Sequence, residues 1–159
     1  MPYDEIATTL ERSEQSVRQL AHRARSHVQA RAPRHPVDPE THHAVTVRFL
    51  EAMQGGSIED LVALMAPEAV LITDGGGKRK AALHPIVGPE KILRFLFGVL
   101  ARPDAEGLEI SLARVNGRTA VVATVDGVPD TVGMLEMDDG VITQIFMVRN
   151  PDKLSAVSL

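Results

Sequence analysis

Prolines at positions 33, 36 and 39 interrupt the 159-residue chain at every third residue. This spacing blocks a helix and favours an extended, semi-rigid spacer. The last of the three prolines follows Asp38, a good N-cap residue, and proline is well tolerated at the first position of a helix. The sequence therefore predicts two parts, residues 1–30 and residues 39–159, joined by a linker over residues 31–38.

The first part has the pattern of two short helices joined by a tight turn. Apolar residues at helical spacing would form the contact between them: Ile6, Ala7 and Leu10 in the first helix, and Val17, Leu20, Ala21 and Ala24 in the second. Ser13 is a good N-cap for the second helix. The turn contains Glu11, where a helix-turn-helix motif usually has glycine.

The opposite face of the second helix presents a row of polar side chains, Gln15, Arg18, Gln19 and His22. Arg and Gln pair in bidentate fashion with the edges of guanine and adenine. Arg12, Ser13, Arg23 and Arg25 would lie beside them, near phosphates. Residues 1–36 carry a net charge of +2 and the rest −6. This pattern predicts a partial, all-α helix-turn-helix that contacts DNA; the alternative is an ordinary two-helix packing unit with a solvated basic face.

The second part is predicted to be α+β, in the order helix, helix, strand, strand, helix and then an antiparallel meander. Asn116-Gly117 and Asp139-Gly140 are preferred two-residue hairpin turns. A curved antiparallel sheet wrapped on three helices would form a cone with a cavity and would bury Phe95, Phe97 and Phe146.

Two short motifs are candidates for chemistry or binding. The first is Asp74, Gly75, Gly76, Gly77 and Lys78, and the second is Asn150, Pro151, Asp152, Lys153 and Leu154. The first motif lacks the Ser or Thr of a phosphate-binding loop, because Arg79 follows the lysine. It therefore predicts a tight loop or a charged lip at the cavity mouth, and the second motif predicts a turn or a docking element.

Metal and cofactor sites are not predicted. The chain has no cysteine, and the side chains of His42 and His43 diverge on a helix. His84 is interpreted as a rim or packing residue. No apolar run reaches membrane-spanning length, so we expect a cytoplasmic protein without a membrane partner.

With these residues identified, the chain resembles the carboxy-terminal part of an extracytoplasmic-function sigma factor of the sigma-J-like group, which carries a fused SnoaL-like domain. Residues 3–30 are similar to the end of sigma region four through the stretches EIA and SVRQLAHRARSHV. Residues 39–154 are similar to the SnoaL-like domain, whose two hallmark motifs stand at Asp74–Lys78 and Asn150–Leu154.

The resemblance implies that the helix-turn-helix reads the −35 promoter element and that the SnoaL-like domain regulates sigma activity in cis. It also implies that the two motifs lie near the sigma part or core RNA polymerase. The region-two module and the first helices of region four have no counterpart in this sequence, so we expect that the chain does not initiate transcription alone. Docking of the helix-turn-helix on the second part, and a homodimer, stay open.

Two other functions are alternatives. One is a stand-alone DNA-binding regulator that senses a ligand in the cone. The other is a SnoaL-like isomerase or cyclase with Asp74 as the base. Such chemistry also needs a donor to the developing oxyanion, and the only tyrosine, Tyr3, lies in the helix-turn-helix. We therefore expect that the chain is not an enzyme.

Overall fold

The computed structural model describes residues 2–31, 37–101 and 107–155, with the backbone alone over residues 24–31. The chain divides into two compact units, Met1–Arg34 and His35–Leu159. Most of the linker predicted over residues 31–38 lies outside the described residues. None of the described helices combines the length and the apolar character that crossing a bilayer requires.

Residues 2–31 of the first unit form two helices, α1 (Tyr3–Thr9) and α2 (Glu14–Arg31). As predicted, Ser13 caps α2, because its hydroxyl accepts from the backbone N–H of Ser16 at 3.2 Å. The turn passes through Glu11 with a φ of +50°. This is the left-handed region that glycine adopts at the lowest cost.

The contact between α1 and α2 is smaller than the apolar pattern predicted. Ala7 and Val17 are buried, at 6% and 4% exposure. Leu10 and Leu20 are 50% and 45% exposed, so the prediction that both face the other helix is wrong. With seven residues, α1 is about 10 Å long and does not cover the whole apolar stripe of α2. The side chain of Ala24 lies outside the described residues.

The described residues of the second unit form three longer helices, and the first of them begins at the predicted Asp38 cap. They are α3 (Pro39–Gly55), α4 (Ile58–Ala63) and α5 (Pro89–Leu100). The Asp38 carboxylate accepts from two backbone N–H groups at the start of α3, and Gly56 ends that helix with a φ of +69°. Ser57 caps α4 by accepting from the backbone N–H of Asp60 at 3.4 Å.

In the described part of the chain, six strands form one sheet in the order β2-β1-β6-β5-β4-β3. Their bounds are β1 (Met65–Asp74), β2 (Ile86–Val87), β3 (Glu109–Val115), β4 (Arg118–Val125), β5 (Val128–Asp138) and β6 (Val141–Val148). Strands β1 and β6 are parallel, which corrects the prediction of a wholly antiparallel sheet, and the other neighbours are antiparallel as expected. A short helix, α6 (Pro151–Leu154), follows β6. The predicted α+β order of elements is confirmed.

Three two-residue hairpins connect β3 to β6, one more than the sequence predicted. Asn116-Gly117 and Asp139-Gly140 turn with positive φ at both residues, as expected, and Asp126-Gly127 does the same. The third hairpin was not predicted; Pro129 stands two residues after its turn, in β5, and proline is unfavourable inside a sheet. A register shift beside it, between Ala123 and Thr124, accommodates the missing N–H.

The main core lies between the helices and the sheet, and it includes Phe49, Leu71 and Ile92. Phe95 and Phe97 are half-buried and pack against this core, so their predicted burial is confirmed only in part, and Phe146 is half-buried outside the core. On β6 the buried Ile145 and Met147 alternate with Phe146, which therefore faces the opposite side of the sheet.

Candidate regulatory site and DNA-contacting face

The two predicted motifs meet in the second unit. Asp74 ends β1 and pairs with Val148 near the end of the parallel strand β6. Because the carboxyl ends of parallel strands lie at the same edge of a sheet, the residues that follow each strand become neighbours. We call these ten residues the paired-motif site: Asp74, Gly75, Gly76, Gly77, Lys78, Asn150, Pro151, Asp152, Lys153 and Leu154.

Two reciprocal ion pairs join the motifs. The Lys78 Nζ atom lies 2.7 Å from both carboxylate oxygens of Asp152, and the Lys153 Nζ atom lies 2.8 Å from Asp74 Oδ2. Both lysines are more than half exposed. Exposed pairs contribute at most about 1 kcal/mol each to stability. Lys78, Asp152 and Lys153 therefore remain available to a partner, whereas the paired oxygen of Asp74, Oδ2, is buried.

The backbone at the site is held more tightly than its charged side chains. Asp74 Oδ1 accepts from the backbone N–H of Gly76 at 2.8 Å, and the Asp74 carbonyl accepts from the backbone N–H of Arg149 at 2.7 Å. Asn150 Oδ1 accepts from the backbone N–H of Asp152 at 3.1 Å and caps α6. The Lys153 ammonium, followed by the Gly76 N–H, holds the pKa of Asp74 below its ordinary 3.8.

Two of the three glycines are required by close approach. A Cβ on Gly75 would lie 2.1 Å from the carbonyl oxygen of Arg79, and a Cβ on Gly76 would lie 2.4–2.6 Å from the amide group of Asn150. The glycine run therefore packs the first motif against the second. Its backbone shape is explained by this packing without a bound phosphate.

A buried ion pair lies directly behind the site. Arg149, one residue before the second motif, donates from Nη2 to Asp130 Oδ2 of β5 at 2.9 Å, with side chains 8% and 11% exposed. Arg79, one residue after the first motif, lies 3.9 Å from Asp130 Oδ1. Sequence reasoning missed this group. The sequence did contain a signal for it: Arg149 follows Ile145 and Met147 at intervals of two residues, which places all three side chains on the inward face of the sheet.

Leu154 differs from the rest of the site. Its side chain is 5% exposed and packs with Ala120, Val122 and Val132 in a second core cluster. Leu154 therefore anchors α6 to the sheet, and the exposed members of the site are those that a partner can reach.

In the first unit, the predicted DNA-contacting side chains are all exposed: Arg12, Ser13, Gln15, Arg18, Gln19, His22 and Arg23. The guanidinium of Arg18 donates to Glu14 Oε1 from Nη2 at 2.6 Å and from Nε at 3.0 Å. It also lies 5.7 Å from the centre of the Tyr3 ring. The side chain of Arg25 lies outside the described residues.

The histidines singled out in the sequence are dispersed. His42 Nε2 lies 2.9 Å from the Leu135 carbonyl oxygen, His43 Nδ1 lies 3.1 Å from Thr119 Oγ1, and His84 is exposed. Within the described ranges, no three His, Asp or Glu side chains are grouped to hold a metal ion.

The chain is similar in sequence to curated sigma factors. It is 32% identical over 169 residues to ECF RNA polymerase sigma factor SigJ of Mycobacterium tuberculosis, covering 100% of this chain and 54% of that protein. It is 30% identical over 155 residues to the probable ECF RNA polymerase sigma factor SigI of the same species, covering 97% and 50%. The chain spans about half the length of these relatives. No family model matches the sequence.

Solved structures agree with the sequence relatives. The crystal structure of Mycobacterium tuberculosis SigJ matches with a TM-score of 0.73 and 30% identity, over 100% of this chain and 56% of that one. A putative ketosteroid isomerase from Kribbella flavida matches with a TM-score of 0.50 and 19% identity, over 77% and 91%, and shares the fold alone. The predicted SnoaL-like α+β cone is confirmed. Along its whole length, the chain is therefore a homologue of extracytoplasmic-function RNA polymerase sigma factors.

Proposed function

We propose that this chain is the carboxy-terminal part of a promoter-recognition factor. In it, α2 reads the −35 element and the second unit regulates sigma activity in cis through the paired-motif site. The observation that carries the proposal is the combination, in one homologue of sigma factors, of an exposed polar face on α2 and two hallmark motifs that meet at one edge of the sheet.

The exposed face of α2 has the chemistry of base recognition. Arg18 and Gln19 are adjacent and exposed, and their side chains suit guanine and adenine edges in the major groove. Arg12 and Arg23 are exposed beside them and would contact phosphates, which fix register and contribute affinity without specificity. Gln15 and His22 extend the same face, and Ser13 holds the start of the helix.

The paired-motif site carries charged side chains that are suited to an interface with another protein. It presents two lysines and two aspartates that form ion pairs across the two motifs. A partner with complementary charges can exchange these weak exposed pairs for its own, because each contributes little to folding. We infer that core RNA polymerase, or the sigma part of the same protein, is that partner.

Promoter recognition can be tested with the chain itself. Duplexes selected from a random pool would be measured by fluorescence anisotropy against scrambled duplexes. We expect Arg18→Ala to weaken binding to the selected sequence roughly tenfold or more. Arg23→Ala should weaken binding to both duplexes and lower the salt slope by about one. Arg94→Ala removes an exposed arginine of α5 and should change neither the DNA affinity nor the salt slope. Selected binding that survives loss of Arg18 and Gln19 together would refute base reading by α2.

The regulatory role can be tested by charge reversal. Lys78→Asp and Asp152→Lys each break the pair, and the double variant restores it in the opposite orientation. If a partner reads these charges, the double variant stays defective in binding purified core RNA polymerase although it folds normally. Recovery of binding in the double variant would show that the pair serves folding alone.

The alternatives receive less support. As a catalytic base, Asp74 would have to face a dry pocket, whereas its carboxylate is engaged by Lys153 and Gly76 and is absent from the lining of the apolar cavity among the described residues. The isomerase-like neighbour shares only the fold. Docking of the first unit on the second, a homodimer and a cytoplasmic location stay predictions.

A further inference from the structure

A charged recess of about 350 Å³ lies beside α6, next to the paired-motif site. Its walls come from the loop after β1, the start of β5 and the segment that runs from the end of β6 through α6. We call it the α6 recess, and Arg79, Asp130 and Arg149 are its charged lining residues. The ion pairs between the two motifs do not use these three side chains, so the α6 recess is a separate feature of the same edge of the sheet.

Arg149 is the fixed member of the charged group. Its side chain is 8% exposed, and it donates to the Asp130 carboxylate through Nε and Nη2. Its Nη1 donates to no group among residues 37–101 and 107–155. A guanidinium presents five N–H donors in a rigid fork. Arg149 therefore keeps donors for one more acceptor, and Asp130 holds the guanidinium in place for it.

Arg79 is the adjustable member of the group. Its Nη2 atom lies 3.9 Å from Asp130 Oδ1, which is beyond hydrogen-bond distance, and its side chain is 54% exposed. An ion pair this long and this exposed contributes little to stability. Arg79 can therefore turn from Asp130 to a new acceptor at little cost.

The charges of the α6 recess do not balance. Arg79 and Arg149 carry two positive charges against the single negative charge of Asp130, so one further negative charge would neutralise the group. A carboxylate supplies one charge and matches the fork of a guanidinium. A phosphate group carries up to two charges near neutral pH, and the Asp130 carboxylate would repel it more strongly. The charge balance therefore favours a carboxylate.

The remaining walls suit an aliphatic stem. Val128, Pro129 and Leu154 line the α6 recess with apolar atoms. Val128 is 65% exposed, which leaves apolar surface at the rim for a partner to cover. A carboxylate carried on one or two methylene groups, as in a protein side chain, would contact both the charged and the apolar walls.

We propose that the α6 recess binds one carboxylate of a partner protein, presented by an Asp or Glu side chain or by a carboxyl terminus. Arg149 receives the carboxylate, and Arg79 closes over it. The proposal deepens the proposed function and rests on it for the identity of the partner. Pro151 and Leu154 belong to both the recess and the paired-motif site, so one partner can contact both. Carboxylate binding itself does not require that the partner is core RNA polymerase.

Three blocked or unblocked tripeptides, titrated into the whole chain, test the proposal. Ala-Glu-Ala with both termini blocked carries a side-chain carboxylate, and Ala-Gln-Ala with a free carboxyl terminus carries a terminal one. Ala-Gln-Ala with both termini blocked carries neither. NMR of the arginine Nε–Hε groups would follow binding. We expect saturable shifts at Arg79 and Arg149 with a carboxylate peptide, and the tighter of the two peptides identifies the source.

Three results of this titration would overturn the proposal. They are the absence of saturable shifts with both carboxylate peptides, equal binding of the uncharged peptide, and tighter binding of inorganic phosphate than of either carboxylate. Failure of the proposed function is distinguishable from all three, because it would appear as loss of binding to core RNA polymerase with peptide binding unchanged.

Variants test the role of each arginine. Arg79→Gln should weaken carboxylate binding roughly threefold to tenfold, whereas Arg94→Gln, at an exposed position of α5, should leave it unchanged. Arg149→Met alone leaves Asp130 buried without its counter-charge. The double variant Asp130→Leu/Arg149→Met avoids this and should abolish carboxylate binding. Unchanged peptide binding in folded Arg79→Gln and in the folded double variant would also overturn the assignment.

Discussion

The amide group of Asn150 occupies the space in which a side chain on Gly76 would begin. A Cβ built on Gly76 would lie 2.4 Å from Asn150 Cγ, and the Gly76 φ is +60°. The same Asn150 side chain accepts from the backbone N–H of Asp152. One contact thus joins the glycine loop after β1 to the cap of the helix after β6, so the two motifs form a single structural unit.

Gly76→Ala is therefore expected to lower the free energy of unfolding by about 2–3 kcal/mol. The left-handed φ costs an alanine about 1–2 kcal/mol, and displacement of Asn150 removes a cap worth about 1 kcal/mol. Gly77→Ala is the matched control, because Gly77 has a φ of +70° and open space around its Cβ. Urea denaturation should show a smaller loss for Gly77→Ala. Equal losses would mean that Asn150 does not constrain the loop.

Local features of the fold could be predicted from the sequence, and long-range ones could not. The Ser13 and Asp38 caps and two hairpins depend on residues a few positions apart, whose chemistry is visible in the chain. The Asp130–Arg149 pair joins residues 19 positions apart on different strands, and no local pattern encodes it. The meeting of the two motifs also needed the parallel pairing of β1 with β6. The prediction for Leu10 and Leu20 failed because periodicity indicates an apolar face but does not give the length of the helix that covers it.

Asp130→Asn is expected to lower the free energy of unfolding by a large amount. Asp130→Asn keeps the shape of the side chain but leaves the Arg149 guanidinium buried without a counter-charge. Breaking a buried pair in this way typically costs about 3–5 kcal/mol. The double variant Asp130→Leu/Arg149→Met removes both charges and should recover most of that loss in urea denaturation. Lys78→Met, which breaks an exposed pair, should cost at most about 1 kcal/mol. A loss for Asp130→Asn as small as that for Lys78→Met would show that the buried pair is not a structural anchor.

The carboxyl group of Asp74 should titrate at an unusually low pH. Its pKa in the folded chain lies below the ordinary 3.8, mainly because of the Lys153 ammonium. The stabilisation that the ionised Asp74 carboxylate contributes to the folded chain is therefore fully present above pH 3.8, and it is lost as the pH falls through the folded pKa. Carboxyl ¹³C NMR should show this low midpoint, and Lys153→Met should raise it. Lys80→Met, which removes a nearby exposed lysine, should leave it nearly unchanged. If Lys153→Met leaves the titration midpoint of Asp74 unchanged, the Lys153 ammonium is not the cause of the low pKa.

Release of Arg18 from Glu14 should strengthen DNA binding. The Glu14 carboxylate engages two guanidinium nitrogens of Arg18 and also repels phosphates. We expect Glu14→Gln to raise affinity roughly threefold to tenfold at low salt, with a smaller gain at high salt. Fluorescence anisotropy at a low and a high salt concentration would measure the gain in DNA affinity under each condition. Glu51→Gln in α3, an exposed site of the second unit, should have no comparable effect. Weaker binding by Glu14→Gln would indicate that the Glu14–Arg18 pair orients the arginine for the groove.

The turn between α1 and α2 is strained at Glu11, and relief of that strain should stabilise the first unit. Glu11→Gly removes the cost of a left-handed φ of +50°, about 1 kcal/mol, partly offset by the greater freedom of glycine in the unfolded chain. Amide exchange in α2 should therefore slow several-fold in this variant. Glu51→Gly makes the same substitution inside α3, where the helix (Pro39–Gly55) has no such turn. There it should lower stability by about 1 kcal/mol. Faster amide exchange in Glu11→Gly would contradict this prediction. It would mean that the Glu11 side chain stabilises the turn by more than the left-handed backbone destabilises it. The placement of Gln15, Arg18, Gln19 and His22 on one face would then depend on that side chain.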